Sequence, residues 1–256
     1  MTIEEKSRKL EQLFEELYNR VREFKKKTYD QLFLQLYHTY QDLLQELSAD
    51  IDKMEEADRM AGIEEIAAVI PAYAKQKMAT LPKRSREVAE VDFNMTMAVF
   101  VIPLLTYEKD PYCGKIADRM VELWNEAKVT TLVLKKSSYD AITDGFKQRL
   151  CYITTAVCGS SGKADDCYEL ETLRAYRDEY LMKSESGREL VEEYYEVAPM
   201  IVMAIDMHKD ASSIYRQIYQ DYLMPCVHLA ETGENEACKK RYTDMVYHLQ
   251  HRYLHS

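Results

Sequence analysis

At 256 residues the chain is long enough for one large or two small domains with a real core. Seven glycines and six prolines leave few tight turns, which argues against a strand-and-turn sandwich and for helices. The formal net charge of -10 repels a phosphate backbone, and the longest basic runs, Lys25-Lys26-Lys27 and Lys239-Lys240-Arg241, read as solvated helix faces, so no nucleic-acid partner is expected.

Residues 3–56 carry helical periodicity with almost no breaker. Leu10, Phe14, Leu17, Val21 and Phe24 recur in steps of three and four, and after Lys25-Lys26-Lys27-Thr28 the stripe resumes in a new phase through Phe33, Leu36, Tyr40, Leu43 and Leu47. This pattern suits one long helix with a phase slip or two helices joined near Thr28. Such a stripe either oligomerises as a coiled coil, with a protein partner or a second copy bound through the N-terminal helices, or folds back as an antiparallel hairpin inside the monomer.

Helices are expected over 62–80, 84–108 and 112–128, with Pro71 and Pro103 kinking the first two. Val129 to Leu134 is the best strand candidate but has no obvious partner strand. Further helices are expected over 138–158, 166–183, 187–207, 210–231 and 234–253, with Gly159, Gly187 and Gly233 at or near the junctions. The expected fold class is all-α: a multi-helix bundle with a long N-terminal helix or helical hairpin in residues 1–135 and a helical domain in residues 136–256. The opening Met1-Thr2-Ile3-Glu4-Glu5-Lys6 has no apolar signal region, and the apolar run Met95 to Leu105 is too short to span a bilayer. A cytoplasmic protein without a membrane span is the expectation, and its six cysteines are then not read as three disulfides.

Three cysteines crowd into Cys151 to Cys167. Ile142, Phe146, Leu150, Ile153 and Val157 form one stripe, which places Cys151 to Cys158 on the last turns of a helix that stops at Gly159. On such a helix Cys151 and Cys158 lie roughly 10 Å apart along the axis. They are then too far apart for a disulfide or a shared zinc, and a metal or disulfide at Cys158, if there is one, needs another partner, such as Cys167 across Gly159-Ser160-Ser161-Gly162. That loop resembles half of a phosphate-binding loop but fails the pattern, since Val157 stands where glycine is required and Ala164 follows Lys163. Cys226 and Cys238 lie on or beside apolar stripes and read as small core residues.

Arg177 falls within the apolar arc of Leu170, Leu173, Tyr180 and Leu181, with Arg174 at its edge. A charge placed there needs a salt bridge, a route to the surface or an anionic ligand. Residues Cys151-Tyr152-Ile153-Thr154-Thr155-Ala156, Leu173-Arg174-Ala175-Tyr176-Arg177-Asp178-Glu179-Tyr180-Leu181, Gly187-Arg188, Tyr194-Tyr195 and Ala198-Pro199 follow the outline of one known domain. The span 151–200 resembles the C-terminal CFI-box domain, and Asp165-Asp166-Cys167-Tyr168 is similar to its cysteine-rich subgroup. Tyr152 and Tyr176 replace that outline's phenylalanines, and Cys158 stands where many relatives have tyrosine. The resemblance implies a domain and no activity.

His248, His251 and His255 could chelate a metal on a helix face but read better as a solvent-facing end, while His38, His208 and His228 are isolated. No Glu-x-x-His pair, nucleophile elbow or dinucleotide fingerprint is present. The expected function is therefore binding or scaffolding. The alternatives are a thiol-dependent enzyme, with Cys151 or Cys158 as nucleophile and Arg174, Arg177 and Arg188 holding an anionic substrate, or a metal protein using Cys158, Cys167, Cys226 and Cys238. No cofactor is indicated.

Overall fold

The computed structural model describes residues 2–147, 151–162 and 167–254, and among them every regular element is helical. The chain divides into two compact units, Met1–Lys147 and Gln148–Ser256.

In unit 1, α1 (Ile3–Arg20) opens with a capping box: the Thr2 hydroxyl accepts from the Glu5 amide at 3.2 Å and the Glu5 carboxylate accepts from the Thr2 amide at 2.8 Å. A short 3-10 turn (Val21–Glu23) ends it, and α2 (Tyr29–Lys53) starts after the lysine run, so the phase slip marks two helices. Both apolar stripes are spent inside the unit. Leu10, Phe14, Leu17, Val21, Phe24, Phe33, Leu36, Leu43 and Leu47 are buried, and half-buried Tyr40 donates to Glu16 on α1. Oligomerisation through the N-terminal helices would need some other face.

The remaining helices of unit 1 are α3 (Glu56–Thr80), α4 (Lys83–Thr96), α5 (Ile102–Thr106), α6 (Pro111–Glu126) and α7 (Tyr139–Lys147). Helix α3 runs through Pro71 and packs along α6, which Asp110 caps by accepting from the Tyr112 and Cys113 amides at 2.9 and 2.8 Å. Phe14, Phe93 and Trp124 meet in the core, with the Phe14 and Phe93 rings edge-on at 5.3 Å.

Pro103 does not simply kink its helix. The backbone widens into a π turn (Met97–Val101) ahead of it, because proline offers no amide to the carbonyl four or five residues back. The stretch Lys83–Thr106 contains an 18-residue window long and apolar enough to cross a membrane by length and composition, with mean hydropathy 1.6, but 83% of that window is buried inside the protein.

Two expectations fail here. Val129 to Leu134 is an irregular loop. The side-chain amide of Asn125 takes the place of a partner strand, accepting from the Leu134 amide and donating to the Leu134 carbonyl, each at 2.9 Å. The division of the chain also falls at Lys147 and not at 135, because α7 returns to unit 1, with Tyr139 4.6 Å from Phe33 and Phe146 5.8 Å from Tyr29.

Unit 2 contains α8 (Tyr152–Ser160), α9 (Tyr168–Glu179), a 3-10 turn (Leu181–Lys183), α10 (Glu185–Asp206), α11 (Ala211–Ile218), a π turn (Tyr219–Leu223), α12 (Met224–Glu231) and α13 (Asn235–Leu254). Helix α10 packs against α8, the 3-10 turn and α13, while α12 packs against α9 and α13. The helix expected over 138–158 is two helices in two units: Cys151 has φ -73° and ψ 77°, outside the helical region, and α8 begins after it. Leu150, counted in that stripe, lies outside the described residues. Helix α8 also runs past Gly159, and among the described residues of unit 2 the left-handed positions are Gly162 and Gly233.

Candidate functional site

The end of α8 that carries Cys151 is held by two consecutive tyrosines of α10. Neighbours on a helix point about 100° apart. Tyr194 turns its hydroxyl to the Ile153 amide, which donates to it at 3.1 Å, and Tyr195 turns toward α9 and accepts from Arg177 Nη1 at 2.7 Å. Nη1 also lies 3.9 Å from the Cys151 sulfur, while Nε and Nη2 fork onto the Asp178 carboxylate at 2.8 and 2.9 Å. Cys151, Leu173, Arg177, Leu181, Tyr194 and Tyr242 wall a cavity of about 50 Å³.

The electrostatics follow from this packing. Asp178 and the neighbouring Tyr195 keep the Arg177 guanidinium firmly protonated against the cost of burial. Burial pushes the Cys151 thiol above its ordinary range, an effect that Arg177 and Arg174 offset only in part. Tyr194 is raised well above the ordinary phenol by burial and by Tyr242. At neutral pH the cavity therefore presents one fixed cation, neutral hydroxyls, a neutral thiol and hydrocarbon.

The predicted residues are distributed unevenly around this site. Arg177 lines the cavity, and Arg174 lies close enough to act on Cys151 without lining it. Arg188 is exposed and donates to the Met182 carbonyl at 3.2 Å, where it secures the 3-10 turn, so it is not a ligand residue of this cavity. Cys151 and Cys158 are both buried, because α9, α10 and α11 pack on α8.

Cys158 is paired with Cys167 as a disulfide, their Cα atoms 7.0 Å apart, with the buried Glu169 beside them. The four-cysteine metal site does not assemble. Cys226 on α12 and Cys238 on α13 face each other, the Cys238 thiol donating to the Cys226 carbonyl at 3.3 Å, and among the described residues neither joins the Cys158 group. His248 and His251 face solvent; Lys163, Ala164, Asp165, Asp166 and His255 lie outside the described residues.

The tyrosines were the missing part of the sequence reading. Tyr194-Tyr195 was visible as a pair, but periodicity does not say that one hydroxyl meets a helix end and the other a guanidinium. No protein-family model, curated protein or solved structure matches the chain.

Proposed function

We propose that this chain is a ligand-binding protein, and that its C-terminal unit receives a small anion of a few heavy atoms, a carboxylate with a short apolar tail. The observation that carries this reading is a protonated guanidinium, Arg177, set in the wall of an otherwise apolar cavity. Such a cavity gains affinity from hydrocarbon contact and orientation from the Nη1 edge of the guanidinium, whose Nε–Nη2 fork is held by Asp178. Tyr195 beside it supplies a hydroxyl to a second oxygen of the ligand. A nucleophilic role for Cys151 has less support, since its thiol is buried and held neutral. We infer from their sequence alone that residues 151–200 resemble the CFI-box domain, a resemblance that implies no activity.

The test compares acetate and propionate, small enough for a cavity of about 50 Å³, with acetamide and propionamide by thermal shift and ligand-observed NMR. The acids are expected to bind saturably to the full chain and the amides at least tenfold more weakly, with Arg177→Met abolishing the difference. Equal binding of acids and amides, or no binding by any of the four, would overturn the reading.

A further inference from the structure

Four cysteines carry free thiols, and two of them are neighbours in space. Cys113 faces the Leu44 carbonyl and Cys151 faces Arg177. Cys226 and Cys238 instead face each other across the packed helices α12 and α13, both fully buried. The Cys238 thiol donates to the Cys226 carbonyl at 3.3 Å, and the two sulfurs lie within hydrogen-bonding reach of one another. Arg241, one turn beyond Cys238, binds the Asp221 carbonyl, and Tyr176 donates to the Asn235 carbonyl at 2.8 Å. These bonds fix the start of α13 relative to α9 and to the segment before α12.

We propose that Cys226 and Cys238 are a peroxide-oxidisable dithiol, which closes a disulfide between α12 and α13. The chemistry runs in two balanced steps. The Cys238 sulfur attacks one oxygen of a hydroperoxide, the O–O bond breaks, and the departing oxygen takes up the thiol proton. This leaves a sulfenic acid on Cys238 and, from hydrogen peroxide, one water. The Cys226 sulfur then attacks the Cys238 sulfur, and the sulfenic hydroxide leaves with the Cys226 proton as a second water. Two thiols are oxidised and one peroxide is reduced. The sulfurs, already in hydrogen-bonding reach, close to a bond of about 2.05 Å.

The surroundings order these roles. The Cys226 thiol and then the Tyr176 hydroxyl lie near enough to the Cys238 sulfur to stabilise its anion, and they lower its pKa against the effect of burial. Cys226 shifts the other way, raised by its hydrogen bond to Cys238 and by burial. Cys238 is therefore the attacking thiol and Cys226 the resolving one. Burial also selects the oxidant. Hydrogen peroxide passes through the small opening motions of packed helices, whereas glutathione disulfide needs an exposed sulfur.

The full chain is treated with hydrogen peroxide in the absence of reductant, quenched with catalase, alkylated in denaturant and mapped by mass spectrometry. The expected product is one new disulfide joining Cys226 to Cys238, formed roughly tenfold faster than oxidation at Cys113 or Cys151. Oxidised glutathione should leave both thiols reduced unless urea is present. In Cys226→Ser the sulfenic acid on Cys238 has no resolving thiol and should be captured by dimedone.

Because a serine variant risks misfolding, the peptide map of the wild-type chain gives an independent reading. The proposal is overturned if peroxide oxidises Cys113 or Cys151 before this pair, if the pair oxidises only in urea, or if the new disulfide joins other cysteines. It is also overturned if dimedone marks Cys226 in Cys238→Ser but not Cys238 in Cys226→Ser.

Discussion

The Tyr29 hydroxyl donates to the buried carbonyl of Val99 at 2.8 Å. Val99 lies four residues before Pro103 and Ala98 lies five before it, so Pro103 can supply an amide to neither. Ser137 donates to the Ala98 carbonyl. Two side chains from outside the helix thus serve the carbonyls that the proline deprives, and the π turn is where the helix opens to admit them. The arrangement recurs in unit 2. Another π turn precedes Pro225, and Arg241 Nη2 donates at 2.7 Å to the carbonyl of Asp221, four residues before that proline.

Removing the phenol oxygen should therefore matter more than removing a surface hydroxyl. Tyr29→Phe is expected to cost about 1–3 kcal/mol, since it leaves a buried acceptor unsatisfied. Urea denaturation measures this. In a Pro103→Ala background, where the amide returns, the same substitution should cost less by at least about 0.5 kcal/mol. An equal cost in both backgrounds would remove the proline from the explanation.

Arg241→Ala tests the exposed version of the same device. Water can replace its guanidinium at the Asp221 carbonyl, so the loss should be smaller, about 0.5–1.5 kcal/mol. A loss larger than that of Tyr29→Phe would contradict the role given to burial.

Gly187 is required by a close backbone approach. A Cβ there would fall inside the carbonyl of Leu181, in the 3-10 turn that Arg188 also secures. Gly187→Ala should destabilise unit 2 by about 1–3 kcal/mol through overpacking. At Gly62 the added carbon meets the flexible Met54 side chain, so Gly62→Ala should cost clearly less in the same denaturation assay.

Stability should fall on the alkaline side. Burial, with Asp110 nearby, pushes the Cys113 thiol up to about 12, and burial with Glu108 does the same for Tyr37, to about 12. The unfolded chain releases these protons first, from its ordinary values of about 9 for the thiol and 10 for the phenol, so rising pH favours unfolding. Their contribution is complete below pH 9 and is lost as the pH climbs toward about 12. Urea midpoints should decline progressively from pH 9 upward, and Cys113→Ala should flatten the early part of that decline.

Much of the candidate site could be anticipated, though not its assembly. Arg177 stood out because a charge interrupted an apolar arc, and Cys158 with Cys167 stood out because a loop rich in glycine and serine lay between them. The four-cysteine site could not be tested from spacing, since whether α12 and α13 bring their thiols to α8 depends on helix packing.

Helical character, the break near Thr28 and the buried stripes of α1 and α2 follow from local periodicity, since a helix repeats every 3.6 residues and its apolar side must be covered. Where a stripe ends is another matter. Ile142 through Val157 reads as one helix because its phase happens to continue across Cys151, but the backbone of Cys151 is not helical and the two parts join different units. The fate of Val129 to Leu134 rests likewise on the Asn125 amide, and the meaning of Pro103 on Tyr29. These are contacts between residues far apart along the chain or on different elements, and local patterning carries no record of which distant side chain will satisfy a given backbone group.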